Sequence, residues 1–220
     1  MKIGVFDSGI GGTTVLDEIK KLLPHDEYYY IADSKNCPYG EKSDEELKTI
    51  VIKNVNELKS WGAKIIVVAC NTATTRCISF LRQNYPDLKF VGTEPAIKLA
   101  TSTNAKNILV LATPGTIASE RTKALLEENQ KPNQKITLLP CPGLADTIEK
   151  YYQKSGGKTK INAKLTELLS PITESPDIIV LGCTHYPLIK DCIQKFFPSA
   201  KLVDGNLGVA QRVQALLRQS

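Results

Sequence analysis

The chain has 220 residues, a formal charge of +5, six cysteines and two histidines. Its length and apolar content support one large or two small globular domains. The scattered cysteines are unlike a secreted disulfide scaffold, and a diffuse positive charge without stacking aromatics or a reader motif argues against nucleic acid.

The apolar runs are of strand length, too short to span a membrane. The amino end reaches Asp7 and several glycines before a signal-peptide core can form, so a cytoplasmic protein with reduced thiols is expected. The first predicted strand, residues 2–6, opens through Asp7-Ser-Gly-Ile-Gly-Gly12 into a helix over 13–23, a position where free backbone N–H groups attract anions. A dinucleotide fingerprint would need a glycine where Thr14 stands, and the lysine of a phosphate loop is missing, so nucleotide binding is disfavoured. Glycines adopting positive φ at a tight turn account for the backbone there but leave Asp7 and Ser8 unexplained.

A strand over 27–31 leads into the turn-rich stretch Asp33-Ser34 and Cys37-Pro-Tyr-Gly40. Ser43-Asp-Glu-Glu46 is a capping box starting a helix over 44–61, which Gly62 ends. The strand over 63–68 delivers Cys70-Asn-Thr72 to a helix over 72–84. After a crossing near Thr93 to Pro95 the pattern repeats, with strands at 108–111, 136–139, 177–181 and 201–203 and helices at 116–128, 158–169, 188–196 and 208–218. Lys150, Lys154, Lys158, Lys160 and Lys164 read as the wet face of a helix, and Gly156-Gly157 as a local turn.

Residues 64–72 and 177–185 are near copies, each an Ile/Val-rich run ending in one cysteine and small polar side chains. Alternating strands and helices with an internal repeat predict two pseudo-symmetric α/β domains with mainly parallel sheets, spanning 1–95 and 96–206, with 207–220 a candidate return to the first. Ligands of such sheets gather at the carboxyl ends of the strands. Cys70 and Cys183 would then meet across an interdomain cleft as two opposed proton carriers. Alone, either cysteine would be read as a small buried hydrophobe; the shared context, with His185 two residues from Cys183, favours chemistry. Cys37, Cys77, Cys141 and Cys192 lack that context and are assigned to structure, and His25 to the surface. Tight ligand pairs such as Cys-x-x-Cys are missing, so neither a zinc site nor a redox dithiol is expected.

Asp7-Ser-Gly-Ile-Gly-Gly12, Cys37-Pro-Tyr-Gly40, Ala69-Cys-Asn-Thr-Ala73 and Leu181-Gly-Cys-Thr-His-Tyr-Pro187 together resemble the glutamate racemases of the aspartate/glutamate racemase family over almost the whole chain. The resemblance implies a cofactor-independent enzyme, usually an oligomer and here expected as a homodimer, that interconverts L- and D-glutamate for the bacterial cell wall. It implies Cys70 and Cys183 as the acid/base pair, with Asp7, Glu149 and His185 assisting. It also places Asp7, Ser8, Tyr39, Gly40, Asn71, Thr72, Thr113, Thr116, Thr184 and His185 around the substrate. Asn36 stands where many relatives carry arginine, and Thr122 where a tyrosine is common. A racemase of aspartate or another small acid, and a non-catalytic small-anion-binding protein on the same scaffold, are the competing readings. A free thiol of pKa about 8.5 is roughly 3% thiolate at pH 7, so the chemistry asks for about 2 kcal/mol of thiolate stabilisation to bring that pKa to 7.

Overall fold

Ile65–Val68 (β3) and Ile178–Gly182 (β7) are buried along their whole length, the state of a central strand in a parallel sheet covered on both faces. The computed structural model describes residues 1–218, so the last two residues of the expected 207–220 return lie outside the described residues. The remaining strands are Lys2–Asp7 (β1), Glu27–Ala32 (β2), Lys89–Gly92 (β4), Asn107–Ala112 (β5), Lys135–Pro140 (β6) and Lys201–Val203 (β8). They form two four-stranded sheets of the same permutation, β2-β1-β3-β4 and β6-β5-β7-β8, with every pairing parallel. β3 and β7 therefore hold equivalent places, and Cys70 and Cys183 follow them at equivalent edges.

Helices cover both faces of each sheet. In the first, Phe6, Ile66 and Val68 pack against Leu47, Val51, Val55 and Leu58 of Asp44–Ser60 (α2) and Ala73, Cys77 and Leu81 of Asn71–Asn84 (α3). The opposite face, Ile3, Val5, Ile65 and Val67, meets Val15, Leu16 and Ile19 of Thr13–Leu22 (α1) and Val209, Ala210 and Val213 of Asn206–Leu217 (α10). The second sheet is covered on one side by Leu144–Tyr151 (α7), Gly157–Leu169 (α8) and Lys190–Gln194 (α9). On the other side lie Ile97–Thr101 (α4) and Leu125 of Glu120–Asn129 (α6). No helix among the described residues is long and apolar enough to cross a membrane.

Two expected helices need correction, and three short elements are additional. The helix expected over 116–128 is two, Pro114–Ile117 (α5) and α6, because Ser119 leaves the helical path and accepts a hydrogen bond from the Thr122 N–H as a new N-cap. The helix expected over 188–196 is a tight 3₁₀ stretch, Tyr186–Ile189, followed by the short α9. β4 and α4 were not foreseen, since runs of four and five residues carry too little periodicity to register. Nor was α7, eight residues entered through Gly143 at φ 70°, which buries Leu144, Ala145 and Ile148 and carries Glu149 one turn after Ala145.

Candidate active site

The loop after β1 brings backbone donors to a buried carboxylate. Asp7 is fully buried; its Oδ2 accepts N–H bonds from Gly9 and Gly12, both 3.1 Å, and its Oδ1 accepts one from the Thr184 hydroxyl at 3.1 Å, across from the second sheet. Burial raises the Asp7 pKa above the ordinary carboxylate value, with the nearby His185 and these donors opposing the rise. Positive φ is not the reason for the glycines, since among the described residues only Gly62, Gly143 and Gly156 adopt it. The reason is close approach. A Cβ on Gly11 would stand 2.6 Å from His185 Nδ1 and 2.7 Å from Thr184 Oγ1, and one on Gly9 would run into the Glu149 carboxylate.

Cys70 is the N-cap residue of α3, so the free N–H groups of Thr72 and Ala73, together with the Ser8 hydroxyl, favour a thiolate there. Burial outweighs them and the Asp7 charge adds to it, pushing the thiol up to about 12. In the same first turn of α3, the Thr72 hydroxyl lies 2.8 Å from that of Thr113 and 3.1 Å from that of Thr116, with Thr113 and Thr116 3.0 Å apart. This ring of three hydroxyls joins the two domains. Asn71 donates its amide to the Thr93 carbonyl at 3.2 Å.

Cys183 has a different partner. Its Sγ lies 3.8 Å from His185 Nδ1, and His185 Nε2 lies 2.8 Å from Glu149 Oε2. Burial pushes the Cys183 thiol well up, opposed by the His185 backbone N–H and reinforced by the negative charge of a Cys70 thiolate and of Asp7. Glu149 also accepts the Ile10 N–H at 2.8 Å and the Ser34 hydroxyl. Burial opposes its charge, yet the bonds from His185, Ser34 and Ile10 together hold its pKa below the usual carboxylate value. Ile10 and Ser34 belong to the first sheet's loops and Glu149 to α7 of the second. One carboxylate therefore clasps the two domains and orients the imidazole beside Cys183.

Both cysteines line one tightly closed cavity of about 10 Å³, with Ser8, Tyr39, Gly40, Asn71, Thr72 and Thr113, and with Pro38 and Ala145 as apolar wall. Asp7, Glu149, Thr116, Thr184 and His185 are not among its lining residues. Tyr39 donates its hydroxyl to Asp33 at 2.7 Å and accepts from Asn54 at 3.0 Å, which fixes the Pro38-Tyr39-Gly40 loop over the cavity. Asn36 donates to both oxygens of Asp33 at 2.9 Å.

A family model described as Asp/Glu/Hydantoin racemase matches residues 3–213. The chain belongs to that family. It is 41% identical to a glutamate racemase of Ectopseudomonas mendocina over 99% of this chain and 82% of the relative. Among solved structures it is similar to Escherichia coli glutamate racemase in complex with L-glutamate and the activator UDP-MurNAc-Ala. The TM-score is 0.90 at 34% identity, covering 100% of this chain and 83% of that one. It is also similar to the Francisella tularensis glutamate racemase in complex with D-glutamate, with a TM-score of 0.81 at 29% identity over 99% of this chain and 81% of the other. Membership makes the chain an isomerase.

Within this racemase fold the sequence singled out the two thiols, Asp7, Glu149 and His185; the chain brings both thiols to one cavity, His185 beside Cys183, Glu149 on His185, and Asp7 close enough to raise the Cys70 pKa. Ser34, Pro38, Asp33, Asn54 and Ala145 were not assigned roles there. Ser34 and Asp33 fall in a turn whose local chemistry is ambiguous, and nothing local links Ser34 to a carboxylate 115 positions later. Cys77, Cys141 and Cys192 sit in the cores, as expected of structural cysteines, and His25 is exposed. Cys37 differs. It lies in no core cluster, is half-buried, and its sulfur lies within 4.8 Å of ligand atoms of both Glu149 and His185.

Proposed function

We propose that the chain is a cofactor-independent glutamate racemase in which Cys70 and Cys183 exchange protons with opposite faces of the substrate Cα. The observation that carries this reading is the pair of thiols on one small cavity, each delivered by the equivalent strand of its own sheet, with His185 3.8 Å from Cys183 and the Asp7 charge felt by Cys70. Asp7 serves Cys70, and the His185–Glu149 pair serves Cys183.

A symmetric reaction needs one base and one acid on opposite sides of the reacting carbon. For one enantiomer the Cys70 thiolate takes the Cα proton while the Cys183 thiol gives its proton to the other face. The product leaves with the protonation states exchanged, and the reverse applies to the other enantiomer. With the Cys70 thiol pushed up to about 12, a thiolate is scarce there at pH 7. The empty cavity therefore keeps its thiols protonated. The substrate ammonium, entering beside Asp7, offsets the charge that adds to burial in holding the thiols up, and Asp7 takes the Cys70 proton as the Cα proton moves. On the other side His185, with Glu149 stabilising its cationic form, accepts and returns the Cys183 proton.

Removing a weakly acidic Cα proton requires donors on the substrate carboxylate as negative charge develops there. Ser8, Asn71, Thr72, Thr113 and Thr116, with the Tyr39-Gly40 loop, supply hydroxyl, amide and backbone donors around the cavity, and Thr184 stands with His185 and Asp7 behind Cys183. Substrate entry requires the Glu149 clasp and the threonine ring to open, and their closure excludes water around the reacting carbon. The same reading takes residues 1–95 with 207–220 as the first domain and 96–206 as the second, and the enzyme as a cytoplasmic homodimer that supplies D-glutamate to peptidoglycan.

The test is turnover of L-glutamate in deuterated water without added cofactor. D-glutamate carrying deuterium at Cα is expected, and Cys70→Ala and Cys183→Ala should each abolish it. Unchanged glutamate with racemised aspartate would overturn the substrate assignment, and binding without exchange would overturn the activity.

A further inference from the structure

Outside the proton-transfer machinery, the most chemically loaded neighbour of the site is Cys37, whose thiol has no assigned task. Its sulfur, a Glu149 oxygen and a His185 ring nitrogen all lie within 4.8 Å of one another. Thiolate, imidazole and carboxylate are a zinc-type donor set, and three protein ligands leave the fourth tetrahedral position to water. We propose that Cys37, Glu149 and His185 form a binding site for a thiophilic divalent cation, of which zinc is the representative, and that its occupancy switches the enzyme off.

Zinc–sulfur bonds of about 2.3 Å and zinc–nitrogen or zinc–oxygen bonds of about 2.0–2.2 Å place tetrahedral ligand atoms roughly 3.3–3.6 Å apart. The cluster reaches that spacing by drawing in Cys37, whose sulfur is no more than 4.8 Å from the other two ligand atoms, and widening the His185–Glu149 contact from 2.8 Å. The charges around Cys37 are of the sign a cation seeks: Glu149, Asp7 and Asp146 all disfavour its ionisation, beside the burial that disfavours it most. Lys150, the nearby cation, is already paired with Asp146 at 3.0 Å. Ser34, which bonds Glu149, is exposed, so the cluster lies next to solvent and an ion reaches it without crossing either core.

Binding releases the Cys37 thiol proton to water and takes up the lone pair of His185 Nε2, with no change in oxidation state. The imidazole proton is then confined to Nδ1, the nitrogen facing Cys183 at 3.8 Å, so His185 is unable to accept the Cys183 proton. Because Cys37 belongs to the first domain and the other two ligands to the second, the ion also pins the cleft shut. The inhibitory half of the proposal rests on the racemase reading; the binding half does not.

Cobalt(II) titration of the chelator-stripped full chain is the test, since a cobalt–thiolate bond adds a sulfur-to-metal charge-transfer band in the near ultraviolet. The band should appear with the parent protein and with Cys183→Ser, and vanish with Cys37→Ser. Zinc should inhibit glutamate racemisation reversibly by chelator, and Cys37→Ser should need at least about tenfold more zinc while keeping parental turnover. A band that survives in Cys37→Ser or is lost only in Cys183→Ser overturns the site, as does the absence of any band. Should Cys37→Ser fail to fold, Glu149→Gln gives the answer: it keeps the band but weakens cobalt binding at least about tenfold, and unchanged affinity overturns the proposal. A Cys37-dependent band in a protein that racemises nothing would sink the racemase reading and leave the metal site standing.

Discussion

Replacing Glu149 by glutamine tests the clasp that joins domain closure to the chemistry. The carboxylate accepts from Ile10, Ser34 and His185 at once. A glutamine amide keeps one accepting oxygen and turns an NH₂ donor toward groups that are themselves donors. The charge that stabilises a cationic His185 is lost with it. A hydrogen bond to a charged group contributes about 1.5–3 kcal/mol, and at about 1.4 kcal/mol per factor of ten kcat should fall roughly 10- to 150-fold. The assay is steady-state racemisation followed by circular dichroism from each pure enantiomer. Since the equilibrium constant of a racemisation is one by symmetry, kcat/KM must fall equally in both directions, which serves as an internal control. A folded Glu149→Gln protein within about twofold of the parent would refute the claim that His185 needs an anionic partner to serve Cys183.

The same carboxylate predicts a pH-dependent stability. Its folded pKa lies below the ordinary value, so its contribution is present above the usual carboxylate range and is lost as pH falls through the depressed value. The Tm difference between parent and Glu149→Gln should therefore be positive at pH 7 and shrink below about pH 4; a gap that widens on acidification would contradict the sign. Gly11→Ala places a methyl against His185 Nδ1 and should abolish turnover with a native circular dichroism spectrum, whereas full activity would show that the loop yields freely. In the ligand-free enzyme, alkylation of Cys70 measured by peptide mass spectrometry should climb with pH through at least pH 9 without levelling, because its thiol is pushed up to about 12; a plateau near neutrality would contradict the buried, Asp7-facing environment. Ser43→Ala removes the capping box of α2 and should cost about 1 kcal/mol, a fall of roughly 2–4 °C in Tm with kcat unchanged.

The duplication was the legible part of this chain. Two Ile/Val runs ending in cysteine, each with an amide or hydroxyl beside it, announce equivalent strand ends, and sheets of identical permutation bring both thiols to one cavity. The capping box at Ser43 was equally plain, because its chemistry spans only three residues. Long-range contacts were not legible. Ser34 has nothing in its own turn to tie it to Glu149, and α7 is too short to show the period that would have oriented that side chain. The glycines after Asp7 were read through backbone freedom, whereas their neighbours from the second domain are what exclude a Cβ. The thiols were expected to need a lowered pKa, yet burial and Asp7 raise Cys70 in the empty site, a consequence of the closed cavity that neighbouring residues do not encode.

A crystal structure of the closed enzyme with glutamate in the cavity tests the two-thiol account most directly. The account predicts the sulfurs of Cys70 and Cys183 on opposite faces of Cα, each at a near-attack distance of about 3–3.5 Å. Both sulfurs on one face, or either turned away from the substrate into the packed interior, would contradict it.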